Sequence, residues 1–176
     1  RRDTSPRQAS QYRPPDQRHD DRRTAGCPHH LIASKRPVSV LVVIYTADGQ
    51  ALLMERADAP GLWQSVTGSQ DAGETLEQTA IREVREETGL DATRFDLMPW
   101  DIENRYEIYE RWRHRYAPGV THNTEHVFGL RLPMAAPVVL APREHLQYVW
   151  LPWEQAVERC FSPSNAAAIR LLATRL

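Results

Sequence analysis

At 176 residues the chain is long enough to bury the core of one ordinary domain, and its 41% apolar and 26% charged residues are near globular averages. The formal net charge of −1 argues against a protein that holds nucleic acid through bulk electrostatics. The longest apolar run, residues 38–45, is far shorter than the ~20 residues that cross a bilayer, so no membrane span is predicted.

Residues 1–34 are predicted to be a disordered polar tail, and residues 35–176 a single domain. The tail is rich in arginine, proline and aspartate and has no apolar periodicity, so it cannot bury enough surface to order itself. It also lacks the apolar segment of a secretory signal. Because Cys27 and Cys160 are the only cysteines, we expect free thiols in the cytoplasm rather than a disulfide framework or a zinc site.

The domain is predicted to begin with a buried strand and a hairpin. Residues 38–46 are β-branched and apolar on both faces, which is typical of a central strand. Asp48 and Gly49 form a hairpin turn signal, and residues 51–56 are the expected return strand. A short strand over residues 63–68 is expected next.

The strongest helix signal covers residues 76–88. Thr75 and Gln78 have the spacing of a capping box, and Gly89 stands where a left-handed C-terminal cap belongs. One face of this helix carries small and apolar side chains at four-residue spacing and should meet the core.

Three further strands and two short helices complete the predicted elements. The strands are expected at residues 95–100, 126–132 and 148–151, and the helices at 153–161 and after an N-cap at Asn165. Strands interleaved with a few helices, without a regular βαβ repeat, indicate an α/β or α+β fold.

The second face of the helix carries carboxylates. Glu83 and Glu87 lie four residues apart, so they project side by side, and Glu86 lies one position round. Three carboxylates on one turn repel each other unless a cation neutralises them, and Mg²⁺ prefers such hard oxygen ligands. Arg82 is expected to pair with Glu86 and hold the cluster. The alternative for this hexamer alone is an ordinary solvated helix face.

The surrounding window decides between these two interpretations. GSQDAGETLEQTAIREVREETGL places Gly68, Glu74 and the REVREETGL segment at the spacing of the Nudix box, and it resembles that box at every position. A chance match is on the order of 10⁻⁷ per chain. The resemblance implies a mixed β-sheet sandwiched between helices, with the box as a loop-helix-loop. It also implies that Glu83, Glu86 and Glu87 bind a divalent cation.

Segments outside the box carry a narrower resemblance. KRPVSVLVVIY, WQSVTGS, HRYAPGVTHNTEHVF and EHLQYVWL resemble the bacterial dihydroneopterin triphosphate diphosphatases of folate synthesis. That resemblance implies removal of pyrophosphate from 7,8-dihydroneopterin triphosphate, leaving the monophosphate, with Mg²⁺ or else Mn²⁺ as the cation. A pterin or nucleoside triphosphate would then be the partner, and oligomeric state is left open.

The resemblance also implies roles for individual residues. Glu83, Glu87 and Glu144 are the implied metal ligands, and Glu86 or Glu144 is the candidate general base. Of Tyr106, Tyr109 and Trp112, one is expected to contact the ring. The implied substrate-binding residues are Lys35, Arg56, Thr67, Tyr106, Glu107, Ile108, Tyr109 and Ser162.

Two other functions stay open. One is a Nudix pyrophosphatase that acts on (deoxy)nucleoside triphosphates such as dATP or 8-oxo-dGTP, because guanine and pterin present similar hydrogen-bonding edges. The other is a non-catalytic module that binds a nucleotide. The complete set of glutamates argues against the second, because binding alone does not need every metal carboxylate.

Overall fold

Seven strands form one mixed sheet in the computed structural model, which describes residues 34–176. The strands are β1 (Val38–Thr46), β2 (Gln50–Arg56), β3 (Trp63–Gln64), β4 (Val66–Ser69), β5 (Asp96–Glu107), β6 (His122–Leu132) and β7 (His145–Pro152). Their order is β3-β2-β1-β6-β5, with β4 paired to β1 and β7 to β2. Strands β1 and β6 run parallel, and the other pairs are antiparallel.

The described residues form four α-helices, three of which cover the two faces of the sheet. They are α1 (Leu76–Thr88), α2 (Glu110–Arg113), α3 (Trp153–Arg159) and α4 (Pro163–Arg170), with 3₁₀ turns at Ala92–Arg94 and Leu171–Thr174. Helix α1 packs Ala80 and Val84 against one face, and α3 and α4 pack against the other. The predicted mixed sheet between helices is therefore confirmed. Within residues 34–176, every helix is too short or too polar to span a bilayer.

Strand β1 is the central strand, as its composition predicts. Eight of its nine residues are buried, and its side chains alternate between the two cores. Val40 and Val42 pack on the α1 side, whereas Leu41 and Val43 pack on the α3–α4 side. This explains why the strand is apolar at almost every position.

Helix α1 has the predicted bounds. The Thr75 hydroxyl accepts the Gln78 N–H at 3.1 Å, and the Gln78 side chain accepts the Thr75 N–H at 2.8 Å. Gly89 ends the helix in the left-handed conformation, with a φ of 70°. Both termini are therefore set by local contacts that the sequence contains.

The predicted strand over residues 63–68 is wrong in one respect, because it is broken into β3 and β4. The Ser65 N–H donates to Asn165 Oδ1 at 2.8 Å instead of continuing a ladder. Asn165 is consequently not the cap of the last helix but lies inside α4, and Ser162 takes the N-cap position.

Most other boundaries differ by extension, but the helix predicted over residues 153–161 is shorter, because α3 ends at Arg159. Strand β5 continues to Glu107 and β6 begins at His122, so these two strands form a long antiparallel pair beyond the predicted ends. Cys160 is a free, half-buried thiol as expected. Cys27 and the predicted tail, apart from Ser34, lie outside the described residues.

Candidate active site

The acidic face of α1 lies against the backbone of β4. Glu83 and Glu87 are 8% and 2% exposed, whereas Glu86 faces solvent. A Cβ built on Gly68 of β4 would lie 1.8 Å from the Glu83 Cδ, so only glycine leaves room for this carboxylate. The glycine that opens the box thus makes the close approach of the helix carboxylate to the strand possible.

Burial and mutual repulsion perturb both carboxylates. Burial, followed by the neighbouring Glu87 charge, raises the pKa of Glu83 to about 7. Burial also raises the pKa of Glu87, although His145 and the Thr67 N–H oppose that change. A divalent cation would stabilise the ionised form of both groups, because their oxygens are hard donors and their negative charges lack a compensating positive charge.

Arg82 ties the loop before the helix to the acidic face. Its guanidinium contacts Glu74 at 2.7 Å and Glu83 at 2.7 Å, and it donates to the Ser69 carbonyl at 3.0 Å. The expected contact with Glu86 is present at 3.2 Å, as one of several. Hydrogen bonds from Arg82 lower the pKa of Glu74 to about 2, so this carboxylate is already paired within the box.

Glu144, 57 positions beyond Glu87, lies beside it because β7 pairs with β2. Ligand atoms of Glu87, Glu144 and His145 lie within 4.8 Å of one another. His145 Nε2 contacts Glu87 Oε2 at 3.0 Å, and both side chains are buried. Sequence reasoning did not identify His145, although its place directly after Glu144 was the available signal.

The eight implied substrate residues line one cleft of about 1090 Å³, together with Glu87 and Glu144. The floor is formed by strands of the sheet, because residues of β4, β1, β6 and β5 line the cleft. Glu83 and Glu86 are not among the lining residues, because Glu83 lies behind Gly68 and Glu86 points to solvent.

Arg56 and the segment before the Pro118–Gly119 turn meet at one wall of the cleft. Asp58 accepts hydrogen bonds from Arg56 and Arg115, each at 2.8 Å, and from Trp112 Nε1 at 3.2 Å. These guanidinium groups lower the pKa of Asp58 to about 2. Lys35 joins the same wall, because its backbone N–H donates to the Arg115 carbonyl at 2.9 Å.

The three candidate aromatic side chains occupy different environments. The Cζ atoms of Arg56 and Arg111 lie 4.5 Å and 4.2 Å from the centre of the Trp112 ring, so guanidinium groups already contact this ring. The Tyr106 hydroxyl accepts from Asn123 Nδ2 at 3.1 Å on the floor. Tyr109 is 48% exposed and has the most accessible ring of the three.

The remaining implied residues are held by the backbone or by near neighbours. Ile108 is buried, and its N–H donates to the Thr121 carbonyl at 2.8 Å. Glu107 forms an ion pair with Arg113 at the rim. Thr67 accepts from Gln64 Nε2 at 3.1 Å, and the Ser162 hydroxyl lies 3.0 Å from that of Ser164.

Comparisons with known proteins identify the family of the chain. The NUDIX domain model matches residues 35–172. The chain is 49% identical over 138 residues to dihydroneopterin triphosphate diphosphatase of Escherichia coli, covering 77% of this chain and 91% of that protein. Identity to the Haemophilus influenzae protein of the same name is 41% over 143 residues, covering 80% and 89%.

Among solved structures, the E. coli dihydroneopterin triphosphate pyrophosphohydrolase superposes with a TM-score of 0.76. That match has 45% sequence identity and covers 81% of this chain and 99% of the other. The family model alone spans most of the described residues and includes the entire acidic helix. The chain belongs to the Nudix family of hydrolases.

Proposed function

We propose that this chain hydrolyses 7,8-dihydroneopterin triphosphate to the monophosphate and pyrophosphate, with Mg²⁺ as its cation. The observation that carries the proposal is the shared cleft: the segments that resemble dihydroneopterin triphosphate diphosphatases surround the same cavity as Glu87 of the Nudix box. The 49% identity to the E. coli protein of that name supports the same substrate.

Glu83, Glu87 and Glu144 would hold the cation. Their carboxylate oxygens are hard donors, and the raised pKa values of Glu83 and Glu87 reflect charge that a cation would offset. When bound, Mg²⁺ neutralises phosphate charge and activates water, and Mn²⁺ is an alternative with similar ligands. His145 orients Glu87 through the 3.0 Å contact, and Arg82 supports Glu83.

The other residues bind and orient the triphosphate. Arg56 and Lys35 supply positive charge at the cleft wall, and Thr67 and Ser162 supply hydroxyl groups. Tyr109 is the aromatic side chain available to stack on the pterin, because the Trp112 ring is already in contact with two guanidinium groups. The general base is Glu144 or Glu86, and both carboxylates are exposed.

The decisive experiment measures pyrophosphate release with Mg²⁺ from dihydroneopterin triphosphate, dATP, dGTP and 8-oxo-dGTP at equal concentration. We expect kcat/KM for the pterin to exceed that for each nucleotide by about tenfold or more, as for a site built on specific hydrogen bonds. A higher value for a nucleotide would contradict the pterin assignment and leave a nucleotide pyrophosphatase.

Two variants serve as controls for the chemistry. Glu87→Gln should lower kcat about 100-fold or more while substrate still binds, because it removes a cation ligand and leaves the cleft walls unchanged. Glu77→Gln changes an exposed carboxylate of the same helix and should leave kcat unchanged. Full turnover by Glu87→Gln would show that the box is not catalytic, whereas binding without any turnover by the unmodified protein would favour the binding module.

A further inference from the structure

Glu125 is a buried carboxylate on the floor of the cleft, well away from the acidic helix. It is 4% exposed and lines the cavity. It belongs to a row of polar side chains that crosses four strands, in which Ser69 pairs with Ser39, Ser39 with Glu125, and Asn104 with Glu125. Neither the box nor the segments that suggested a substrate assign it a role.

No basic side chain forms an ion pair with Glu125 within residues 34–176. The hydrogen bond that it accepts comes from a neutral group, Asn104 Nδ2 at 3.3 Å, and the neutral Ser164 hydroxyl lowers its pKa without reversing the shift. Burial raises the pKa of Glu125, as expected for a carboxylate that lacks a cation. A purely structural role would be filled at lower cost by a neutral amide.

The carboxylate retains acceptor capacity. Its two oxygens offer about four lone-pair sites, of which Asn104 uses one. A ligand with two adjacent N–H donors would match such a carboxylate in a bidentate manner. The 2-amino group and the neighbouring ring N–H of a pterin or a guanine form such an edge, whereas adenine and cytosine place an acceptor beside their amino group.

We propose that Glu125 recognises the amino-pyrimidinone edge of the substrate ring and determines ring specificity. The inference rests on the proposed function, in that it takes the cleft as the substrate site. The position suits this role. Glu87 lies near Thr67 of β4, whose N–H lowers its pKa, and Glu125 lies on β6, two interstrand spacings or about 10 Å away from β4. One substrate molecule then spans the cleft, with its phosphates near Glu87 and its ring near Glu125.

The test combines a protein change with a matched ligand change. Glu125→Gln keeps the shape and the Asn104 contact but replaces one acceptor by a donor that opposes the ring amino group. Comparing dGTP with dITP, which lacks only the 2-amino group, isolates that contact. In the unmodified protein, kcat/KM for dGTP should exceed that for dITP about tenfold, and in Glu125→Gln this ratio should fall to near one.

Dihydroneopterin triphosphate and dATP complete the experiment. Glu125→Gln should lower kcat/KM for the pterin about tenfold or more. It should leave kcat/KM for dATP, or the inhibition constant of dATP as a competitive inhibitor, within about twofold. Glu154→Gln, an exposed carboxylate of α3, is the matched control and should change none of these values.

Two other outcomes have separate meanings. If the unmodified protein prefers a nucleotide to the pterin, the proposed function fails, but the dGTP to dITP ratio still tests Glu125. If Glu125→Gln lowers kcat/KM equally for every substrate, or leaves the ratio of kcat/KM for dGTP to that for dITP unchanged, Glu125 has only a structural role and the inference is overturned. Because dITP and dGTP are compared on the unmodified protein as well, a poorly folded variant does not remove the test.

Discussion

Asp58 shows at the level of one residue how the cleft wall is assembled. Its carboxylate contacts Arg56, which is near it in the chain, and Arg115, which is 57 positions away, and it keeps their like charges close together. Neither the box nor the pattern of the strands singles out this aspartate. We expect it to be a positioning residue that acts through the arginines of the cleft wall.

We expect Asp58→Asn to lower the free energy of unfolding at pH 7 by about 1 kcal/mol. The pKa shift from 3.8 to about 2 is discounted for the 33% exposure of the side chain. Because the folded pKa is depressed, this stabilisation is complete above pH 3.8 and disappears as the pH falls through about 2. Urea unfolding at pH 7, 4, 3 and 2 measures the difference from the unmodified protein.

Asp101→Asn is the control for this measurement. Asp101 is exposed and forms no ion pair within the described residues, and its φ of 56° is a conformation that asparagine tolerates. We expect its stability to match that of the unmodified protein at each pH. A stability loss in Asp58→Asn that stayed constant down to pH 2 would mean that charge pairing is not its cause.

At the scale of secondary-structure elements, the contact of α1 with β4 is the central feature. The helix bounds follow from the capping box and from Gly89, which are local, so the sequence predicted them to the residue. The break between β3 and β4 depends on Asn165, 100 positions beyond Ser65, and no local pattern contains it. Long-range side-chain contacts of this kind override strand propensity.

Gly68→Ala tests the close approach of helix and strand. The added Cβ would displace the Glu83 carboxylate, so we expect kcat to fall about tenfold or more and stability to fall by about 1–3 kcal/mol. Thermal unfolding and pyrophosphate release measure the two effects on the same preparation.

Gly61→Ala separates strain from damage to the site. Gly61 has a φ of 89° and open space around it, so alanine there should cost about 1–2 kcal/mol in stability and leave kcat unchanged. If Gly68→Ala behaved in the same way, with stability reduced and kcat intact, the position of Glu83 against β4 would not matter for the chemistry.

At the scale of the whole molecule, the function is expected to reside in residues 34–176. Lys35 is anchored by its backbone bond to Arg115, so the first implied substrate residue is held by the domain itself. We therefore expect a chain that begins at Ser34 to keep kcat/KM for dihydroneopterin triphosphate within about twofold of the full chain.

Steady-state kinetics of the two chains side by side provide the measurement. The matched comparison is a chain that begins at Val38 and so lacks Lys35, for which we expect KM to rise. A large loss of activity on removal of residues 1–33 alone would assign those residues a functional role, and would contradict the prediction that they are a tail.

The sequence by itself determined the family, the acidic helix and the central strand, because each depends on neighbours within one element: caps, the Gly68 to Leu90 spacing, and apolar runs. Only the tertiary structure decided what joins them. His145 meets Glu87 across 58 positions, Asp58 meets Arg115 across 57, and Glu125 enters the cleft through its register with β1 and β5. Strand pairing and side-chain packing create these contacts, and no local pattern encodes which distant residues will share a cavity.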